Sequence, residues 1–330
     1  MRSLSALLTV AAIAAAGLAG AQLAALRPVL ATAIPYAAIV IFLVGFSWRV
    51  VRWSLTPVPF RIPATCGQQK SLPWIRHARL ENPASTLGVI GRMALEILLF
   101  RSLFRNTRAE VRKDSRLIFG EDKWLWLAAL AFHWSFLVVF LRHLRFFMEP
   151  VPAFVLVIQH VDGFFQVGTP EVCATGVIAL VSLLYLLWRR VAQPQVRYIS
   201  LFTDYLALFL LLGLFGSGLL MRHFFKVDLT AVKQLAIGLV TLSPTVPATV
   251  GSLFFVHLVL LSALIAYFPF SKLMHMPGVF LSPTRNLANN NRMERHVNPW
   301  DYPVKVHTYQ EWEDEFHDKI VAAGLPLDKE

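Results

Sequence analysis

Four histidines lie within two long apolar stretches of the sequence, residues 124–147 and 251–276. The first stretch holds His133 and His143, and the second holds His257 and His275. Ionisable side chains are costly to bury in a membrane, so those found there are candidates for function. A neutral imidazole nitrogen is a good ligand for iron, and two imidazoles fill both axial positions of a haem. The pattern therefore predicts two bis-histidine haem sites.

The composition indicates an integral membrane protein. Of the 330 residues, 56% are hydrophobic and 15% are charged, whereas a soluble domain has about 25% charged residues. The two cysteines, Cys66 and Cys173, cannot supply the roughly four thiolates of an iron–sulfur cluster. The net charge of +11 could indicate nucleic-acid binding, but basic residues also collect on the cytoplasmic side of membrane proteins. We therefore expect no nucleic-acid partner.

Six segments are apolar and about 20 residues long, which is the length needed to cross a bilayer. The first could be a secretory signal, because Ala19-Gly20-Ala21 resembles a cleavage site, but its apolar run is longer than usual and favours a retained helix. The expected fold is an all-α integral membrane protein, with six transmembrane helices forming a dihaem cytochrome b bundle. The predicted spans are 1–26, 35–53, 124–147, 172–188, 201–224 and 251–276.

The distribution of lysine and arginine predicts the orientation. Most of these residues fall in the insert, in the tail and in the short loop after the fourth span, all of which lie on one side. We expect a multi-pass protein of the cytoplasmic (inner) membrane with its C-terminus in the cytoplasm. The predicted segments are two N-terminal helices (1–53), a basic cytoplasmic insert (54–123), a four-helix dihaem domain (124–276) and a soluble cytoplasmic tail (277–330).

This topology predicts how the histidines pair. The third span runs outwards and the sixth runs inwards, so His133 matches His275 on the inner side and His143 matches His257 on the outer side. Along straight helices, His133 and His143 would be about 15 Å apart and His257 and His275 about 27 Å apart. We expect Pro269 to kink the sixth helix and reduce this mismatch. Within a continuous helix, five full turns would place both histidines of the sixth span on one face. His223 is an alternative ligand on the outer side.

Small and basic residues near these helices have two interpretations each. Gly213, Gly216 and Gly218 in the fifth span either make room for porphyrin or allow close helix packing. Arg142 and Arg145 either pair with haem propionates or anchor the helix at the outer interface.

The soluble segments contain local signals for secondary structure. Four prolines make a long helix unfavourable early in the insert. A helix is expected from Ser85 to Asn106, capped by Ser85 or Thr86, and another after the capping-box residue Thr308. The apolar segment 235–242 is expected to approach the membrane interface. The prolines are Pro57, Pro59, Pro63 and Pro73.

The histidine spacings resemble a known family. HWSFLVVFLRH and HLVLLSALIAYFPFSKLMH are similar to the haem-binding helices of respiratory nitrate reductase gamma subunits, over residues 124–276. The motifs PFRIPATCGQQKSLPWI, ENPAS and LLFRSLFRNT resemble a narrower family, the membrane cytochrome b subunits of DsrMKJOP complexes linked to dissimilatory sulfite reductase.

The resemblance implies two b-type haems, the inner one bound by His133 and His275 and the outer one by His143 and His257. It also implies the quinone-reactive subunit of a membrane oxidoreductase. Electrons would pass between membrane quinone and a cytoplasmic iron–sulfur subunit related to heterodisulfide reductase, within a DsrMKJOP-type complex. Nitrate reductases place a lysine in the quinol site, yet no lysine occurs between His143 and Lys226. Arg145 and His160 are the substitutes we expect there.

Two other classes of protein are compatible with the same residues. Membrane histidines can form a proton relay in a transporter or channel. The chain could also be a haem-free membrane anchor for a complex.

Overall fold

A computed structural model describes residues 1–56, 67–111, 116–163, 172–294, 303 and 305–328. Most of these residues are helical, and we number the α-helices in chain order. They are α1 Arg2–Gln22, α2 Ile34–Ser54, α3 Thr86–Leu99, α4 Arg101–Phe104, α5 Lys123–His143, α6 Ala153–Asp162, α7 Ala174–Ala192, α8 Pro194–Ile199, α9 Phe202–His223, α10 Leu229–Val240, α11 Ser252–Tyr267, α12 His275–Gly278 and α13 Tyr309–Ala322.

Within the described residues, six helical segments are long and apolar enough to cross a membrane. They coincide with the six predicted spans, so the fold class is confirmed as an all-α, multi-pass membrane protein. Helices α2, α5 and α11 are extended within these spans by short 3-10 or π-helical turns. The segments are Arg2–Gln22, Ala24–Ser54, Lys123–Phe146, Ala174–Ala192, Phe202–His223 and Ser252–Phe270.

Helix α9 is at the centre of the bundle and packs against α1, α7 and α11. Its buried residues Leu210 and Phe215 belong to one apolar cluster with Phe132, Leu183 and Leu260. Helix α1 is part of the bundle, because its Gly17 lies against Val256 and Val259 on α11. The core thus places α5, which carries His133 and His143, and α11, which carries His257, around α9.

The sixth span is not the continuous kinked helix that we predicted. Helix α11 ends at Tyr267, and a 3-10 turn follows from Phe268 to Phe270. Pro269 cannot donate the backbone hydrogen bond that would continue the α-helix. Ser271 is then extended, with φ −111° and ψ 177°, and its hydroxyl accepts a hydrogen bond from the backbone N–H of Leu273 at 3.1 Å. His257 and His275 therefore do not share one face of a single helix.

The insert contains the expected helix in two parts. Ser85 caps α3 by accepting a hydrogen bond from the N–H of Gly88 at 3.3 Å. Phe100, with φ 50°, interrupts the helix before the short α4. An antiparallel two-stranded ribbon, β1 Thr107–Val111 and β2 Leu117–Glu121, follows and was not predicted. The predicted irregular segment around Pro57, Pro59 and Pro63 lies outside the described residues.

Short helices cover the other loops. Helix α10 buries Leu235 beside Ala21, Leu30 and Phe255, so this apolar segment packs on the bundle. The tail helix α13 begins with the predicted capping box, in which the Thr308 and Glu311 side chains cap each other's backbone N–H groups.

The tail also binds the insert. The Asn289 side chain donates to Oδ1 of Asn82 at 2.9 Å, and its backbone N–H donates to the Pro83 carbonyl at 2.7 Å. Gln69 hydrogen-bonds Asn291 in the same contact. Because Asn82 and Asn289 are 1% and 0% exposed, this contact is a buried polar link between the segment before α3 and the segment after α12.

Candidate functional site

The first histidine pair joins α5 to the start of α12. The ring centroids of His133 and His275 are 5.9 Å apart, and the ring planes cross at 82°. Two imidazoles that share one metal ion have centroids roughly 6 Å apart, because metal–nitrogen bonds are about 2 Å long. The interruption of the helix at Ser271 brings His275 to the depth of His133. A straight helix would have carried His275 further along its axis.

The second pair joins the C-terminal end of α5 to α11. The His143 imidazole lies within electrostatic range of the His257 imidazole. Helix α9 borders this pair, since a Cβ placed on Gly218 would lie 3.7 Å from Cε1 of His257. His223, the alternative ligand, is the last residue of α9. The structure thus places His133 against His275, and His143 within electrostatic range of His257.

All four imidazoles use Nδ1 for a hydrogen bond within the protein. Three of these bonds go to backbone carbonyl oxygens, so Nδ1 carries the proton and Nε2 keeps a free lone pair. Histidines that bind metals are usually held in this way, because the bond through the second nitrogen fixes the tautomer and the ring orientation. The partners are Ala129 for His133 (2.7 Å), Val139 for His143 (2.7 Å), Lys272 for His275 (2.8 Å) and the Ser217 hydroxyl for His257 (2.8 Å).

Ser217 is a site residue that the sequence analysis missed. Its hydroxyl donates to the Leu214 carbonyl at 3.1 Å on its own helix. The single hydroxyl proton is thereby used, so Ser217 accepts the Nδ1–H of His257. The available signal was its position between Gly216 and Gly218, where α9 has little side-chain bulk.

Phe100 is a second site residue that was not predicted, and nothing in the sequence indicated it. Its ring contacts His133 edge to face, with centroids 4.9 Å apart. Two indole N–H groups of α5 hold the end of α3: Trp126 donates to the Leu99 carbonyl at 2.7 Å and Trp134 to the Leu98 carbonyl at 3.1 Å. The segment that ends α3 therefore packs directly against His133.

The donor set fits an iron held in an organic macrocycle. Among the described residues, no group of three or more His, Cys, Asp or Glu side chains could bind a bare metal ion. Each histidine pair would supply two nitrogen ligands, which is the number that a haem takes from the protein. Two imidazoles per site are therefore consistent with haem and insufficient for a structural zinc site.

The three glycines of α9 have different surroundings. Gly213 packs closely, since a Cβ there would lie 3.2 Å from Leu260 and 3.7 Å from Val10. At Gly216 a Cβ would meet no neighbouring heavy atom of the described residues within 4 Å. Close helix packing therefore accounts for Gly213, whereas Gly218 borders the second histidine pair.

The arginines near His143 bind protein groups. Arg142 forms a buried ion pair with Asp162 of α6, and Asp162 also accepts from the backbone N–H (2.8 Å) and the hydroxyl (2.7 Å) of Thr175. Arg145 donates to the Gln159 side chain at 2.6 Å. Arg142 therefore links α5, α6 and the start of α7.

A cavity of about 220 Å³ lies beside the His143 end of α5. Lys233 of α10 contributes to its wall and forms an ion pair with Glu149. The Phe146 ring joins the cavity to the site, with its centroid 5.9 Å from that of His143. His160 is exposed on α6 and does not line the cavity. The lining residues are Arg145, Phe146, Val151, Leu229, Thr230 and Lys233.

Comparison with known proteins relates this arrangement to a family. Residues 85–295, which include all four histidines, match the nitrate reductase gamma subunit family. Two similar proteins are both named Hdr-like menaquinol oxidoreductase cytochrome b-like subunit. The one from Archaeoglobus fulgidus is 46% identical over 276 residues, covering 81% of this chain and 82% of the relative. The one from Archaeoglobus profundus is 43% identical, covering 82% of each. The chain therefore belongs to the nitrate reductase gamma subunit family.

Proposed function

We propose that this chain is a dihaem cytochrome b that carries electrons between membrane quinone and a cytoplasmic redox subunit. The observation that carries this proposal is that all four histidines are held by hydrogen bonds at Nδ1. Each of them uses Nδ1 within the protein and keeps the Nε2 lone pair for a ligand, and they are arranged in two pairs. His133 and His275 would hold the inner b-type haem, and His143 and His257 would hold the outer one.

A bound haem supplies a centre that gains and loses one electron at a time. The four histidines would hold the group, with their imidazoles oriented by the backbone carbonyls and Ser217. The buried apolar residues Phe132 and Phe215 lie in the same cluster, with ring centroids 6.3 Å apart, and would exclude water beside His133. With two histidines bound, the iron would keep no open position, which would suit electron transfer and disfavour substrate binding at the metal.

The cavity beside His143 supports a quinone site. Arg145 and Lys233 place cationic hydrogen-bond donors on its wall, where they can bind the oxygen atoms of a quinone head group. Glu149, whose side chain is 68% exposed, pairs with Lys233 and can pass a proton released from quinol to water. This assignment retains Arg145 from the sequence analysis and uses Lys233 in place of His160.

The relatives support a quinone-linked complex, because their name describes a menaquinol oxidoreductase with an Hdr-like character. For this chain we propose a cytoplasmic iron–sulfur partner related to heterodisulfide reductase, within a DsrMKJOP-type complex of dissimilatory sulfur metabolism. The insert and the tail, linked through Asn82 and Asn289, would form its docking face beside His133. The cytoplasmic membrane, the cytoplasmic C-terminus and the four predicted segments belong to the same proposal.

A reduced-minus-oxidised absorption spectrum of the purified chain tests the proposal. We expect a b-type α-band and, by pyridine haemochrome, two haems per chain. A chain purified from haem-sufficient cells without any α-band would contradict the proposal. Proton uptake by liposomes containing the chain would then favour a proton-relay transporter, and its absence a haem-free anchor.

A further inference from the structure

A second concave site lies where α2 ends, close to the interruption of the helix that precedes His275. It is a cavity of about 420 Å³ between the last turns of α2 and the turn Phe268–Phe270. Helix α2 lies outside the residues that match the nitrate reductase gamma subunit family, so the family relationship does not assign this site. The lining residues are Trp48, Arg49, Arg52, Trp53, Pro269 and Phe270.

The site contains two positive charges. The Arg49 guanidinium lies over the Trp53 ring at 5.1 Å, and the Arg52 guanidinium lies over the Trp48 ring at 5.4 Å. Among the described residues, no carboxylate forms an ion pair with either arginine. Stacking on indole fixes a guanidinium in position without neutralising its charge. The cavity is therefore suited to an anion.

Arg49 is held by the protein but keeps donors available. Its Nη1 donates to the Pro269 carbonyl at 2.6 Å and approaches the Ser271 carbonyl at 3.4 Å. A guanidinium carries five N–H donors, so several remain for a ligand. The helix and the turn are in close contact here, since a Cβ on Gly45 would lie 2.9 Å from Cβ of Pro269. The site is thus built from two elements in fixed positions.

The surroundings of the cavity are apolar. The Trp48 and Phe270 side chains are 55% and 61% exposed, and Leu55, at the end of the helix, is 77% exposed. The end of a spanning helix lies at the boundary between hydrocarbon and water. A ligand that fits must therefore join a negative charge to an apolar body at the membrane surface.

We propose that this cavity binds the head group of an anionic phospholipid. The phosphodiester would contact Arg49 and Arg52, and the acyl chains would lie along Trp48 and Phe270. Because Arg49 also bonds the carbonyls of Pro269 and Ser271, the bound lipid would stabilise the segment that carries His275. This site does not depend on haem or quinone.

Native mass spectrometry of the full-length chain tests the proposal, with phosphatidylglycerol as the probe. We expect one tightly retained lipid per chain, and Arg52→Gln to weaken its binding about fivefold, as expected for one basic residue near anionic lipid. The matched control is Arg197→Gln, because Arg197 is exposed on α8 and does not line the cavity. This control should bind phosphatidylglycerol like the unmodified chain.

Three results would overturn the proposal. One is equal retention by Arg52→Gln and the unmodified chain. Another is equal retention of phosphatidylcholine, which carries no net charge. The third is displacement of the lipid by millimolar inorganic phosphate, which would identify the cavity as a site for soluble anions. Thermal unfolding provides a second measurement, since phosphatidylglycerol should raise the Tm of the unmodified chain more than that of Arg52→Gln.

Discussion

The Ser217 hydroxyl lies 2.8 Å from Nδ1 of His257 and orients its imidazole from the neighbouring helix α9. The His257 ring is the one member of the four whose Nδ1 partner is a side chain, so this contact can be removed by a single substitution. Ser217→Ala deletes this acceptor and leaves the His257 ring with its backbone hydrogen bond to Leu214. Losing such a second hydrogen bond weakens metal binding about 10- to 100-fold.

We therefore expect Ser217→Ala to lose haem from the outer site on dilution or mild heating while the inner site keeps its haem. The measurement is the haem content per chain, together with the midpoint potentials of the remaining α-band. Ser262→Ala is the matched control, because Ser262 is also buried in a spanning helix but, among the described residues, bonds only the Leu258 carbonyl. Equal haem retention in the two variants would contradict the role of Ser217.

The histidine pairing predicts which ligands act on the same haem. His143→Ala and His257→Ala should each remove one haem, and potentiometric titration should show the same component missing from both. His133→Ala and His275→Ala should both remove the other component. If His143→Ala and His257→Ala removed components of different potential, the pairing would be wrong.

The order of the histidines was predictable from the sequence, because apolar length and basic loops define how each helix crosses the membrane. The depth of His275 was not predictable. A straight helix would place His275 about 12 Å beyond the depth of His133. The extended residue Ser271, which follows the 3-10 turn, shortens this distance. Such a break is stabilised by contacts with α2, including the Arg49 bond to the Pro269 carbonyl, and these are tertiary.

Phe100 and Ser217 escaped prediction for a related reason. A phenylalanine with φ 50° has no sequence signature, and it is stabilised by packing on His133. Serine in a helix commonly bonds a carbonyl of its own helix, so only the position of His257 reveals the second role of Ser217. Arg142 also looked available for an external anion, whereas Asp162 lies 20 residues later and pairs with it.

The Arg142–Asp162 pair predicts a stability effect. Asp162 is 5% exposed, and Asp162→Asn leaves the charge of Arg142, whose side chain is 14% exposed, without its carboxylate partner. Removing one member of a buried ion pair costs about 3 kcal/mol or more. The Tm of the detergent-solubilised chain should fall clearly. Glu149→Gln is the control, since its partly exposed pair with Lys233 contributes at most about 1 kcal/mol. Equal Tm values for the two variants would contradict the structural role of Asp162.

The cavity beside His143 predicts an effect on quinol kinetics. Lys233→Met removes a cationic donor from the cavity wall, and we expect KM for quinol-dependent haem reduction to rise about tenfold, the loss of one charged hydrogen bond. Lys226→Met is the control, because Lys226 is exposed outside the cavity. An unchanged KM in Lys233→Met would place quinone elsewhere.

The Glu81 carboxylate predicts how the stability of the insert depends on pH. Burial raises the pKa of Glu81, but hydrogen bonds from Arg101 and Arg105 and their positive charges outweigh it, so the pKa lies below its usual value of 4.5. A carboxyl with a lowered folded-state pKa stabilises the fold above its unfolded pKa. This contribution is lost as pH falls through the folded-state pKa. For a partly exposed pair we expect about 1 kcal/mol at pH 7.

Comparison with Glu81→Gln isolates this contribution from the other carboxylates. The variant should unfold at a lower Tm than the unmodified chain at pH 7, and the difference should shrink steadily below pH 4. Glu121→Gln is the control, because the Glu121 side chain is 71% exposed and 3.5 Å from Lys123. A Tm difference for Glu81→Gln that stayed constant from pH 7 to pH 3 would contradict this prediction. It would show that packing of the Glu81 side chain against α4, and not its charge, stabilises the contact. In that case protonation of Glu81 would leave the contact between the loop and α4 intact.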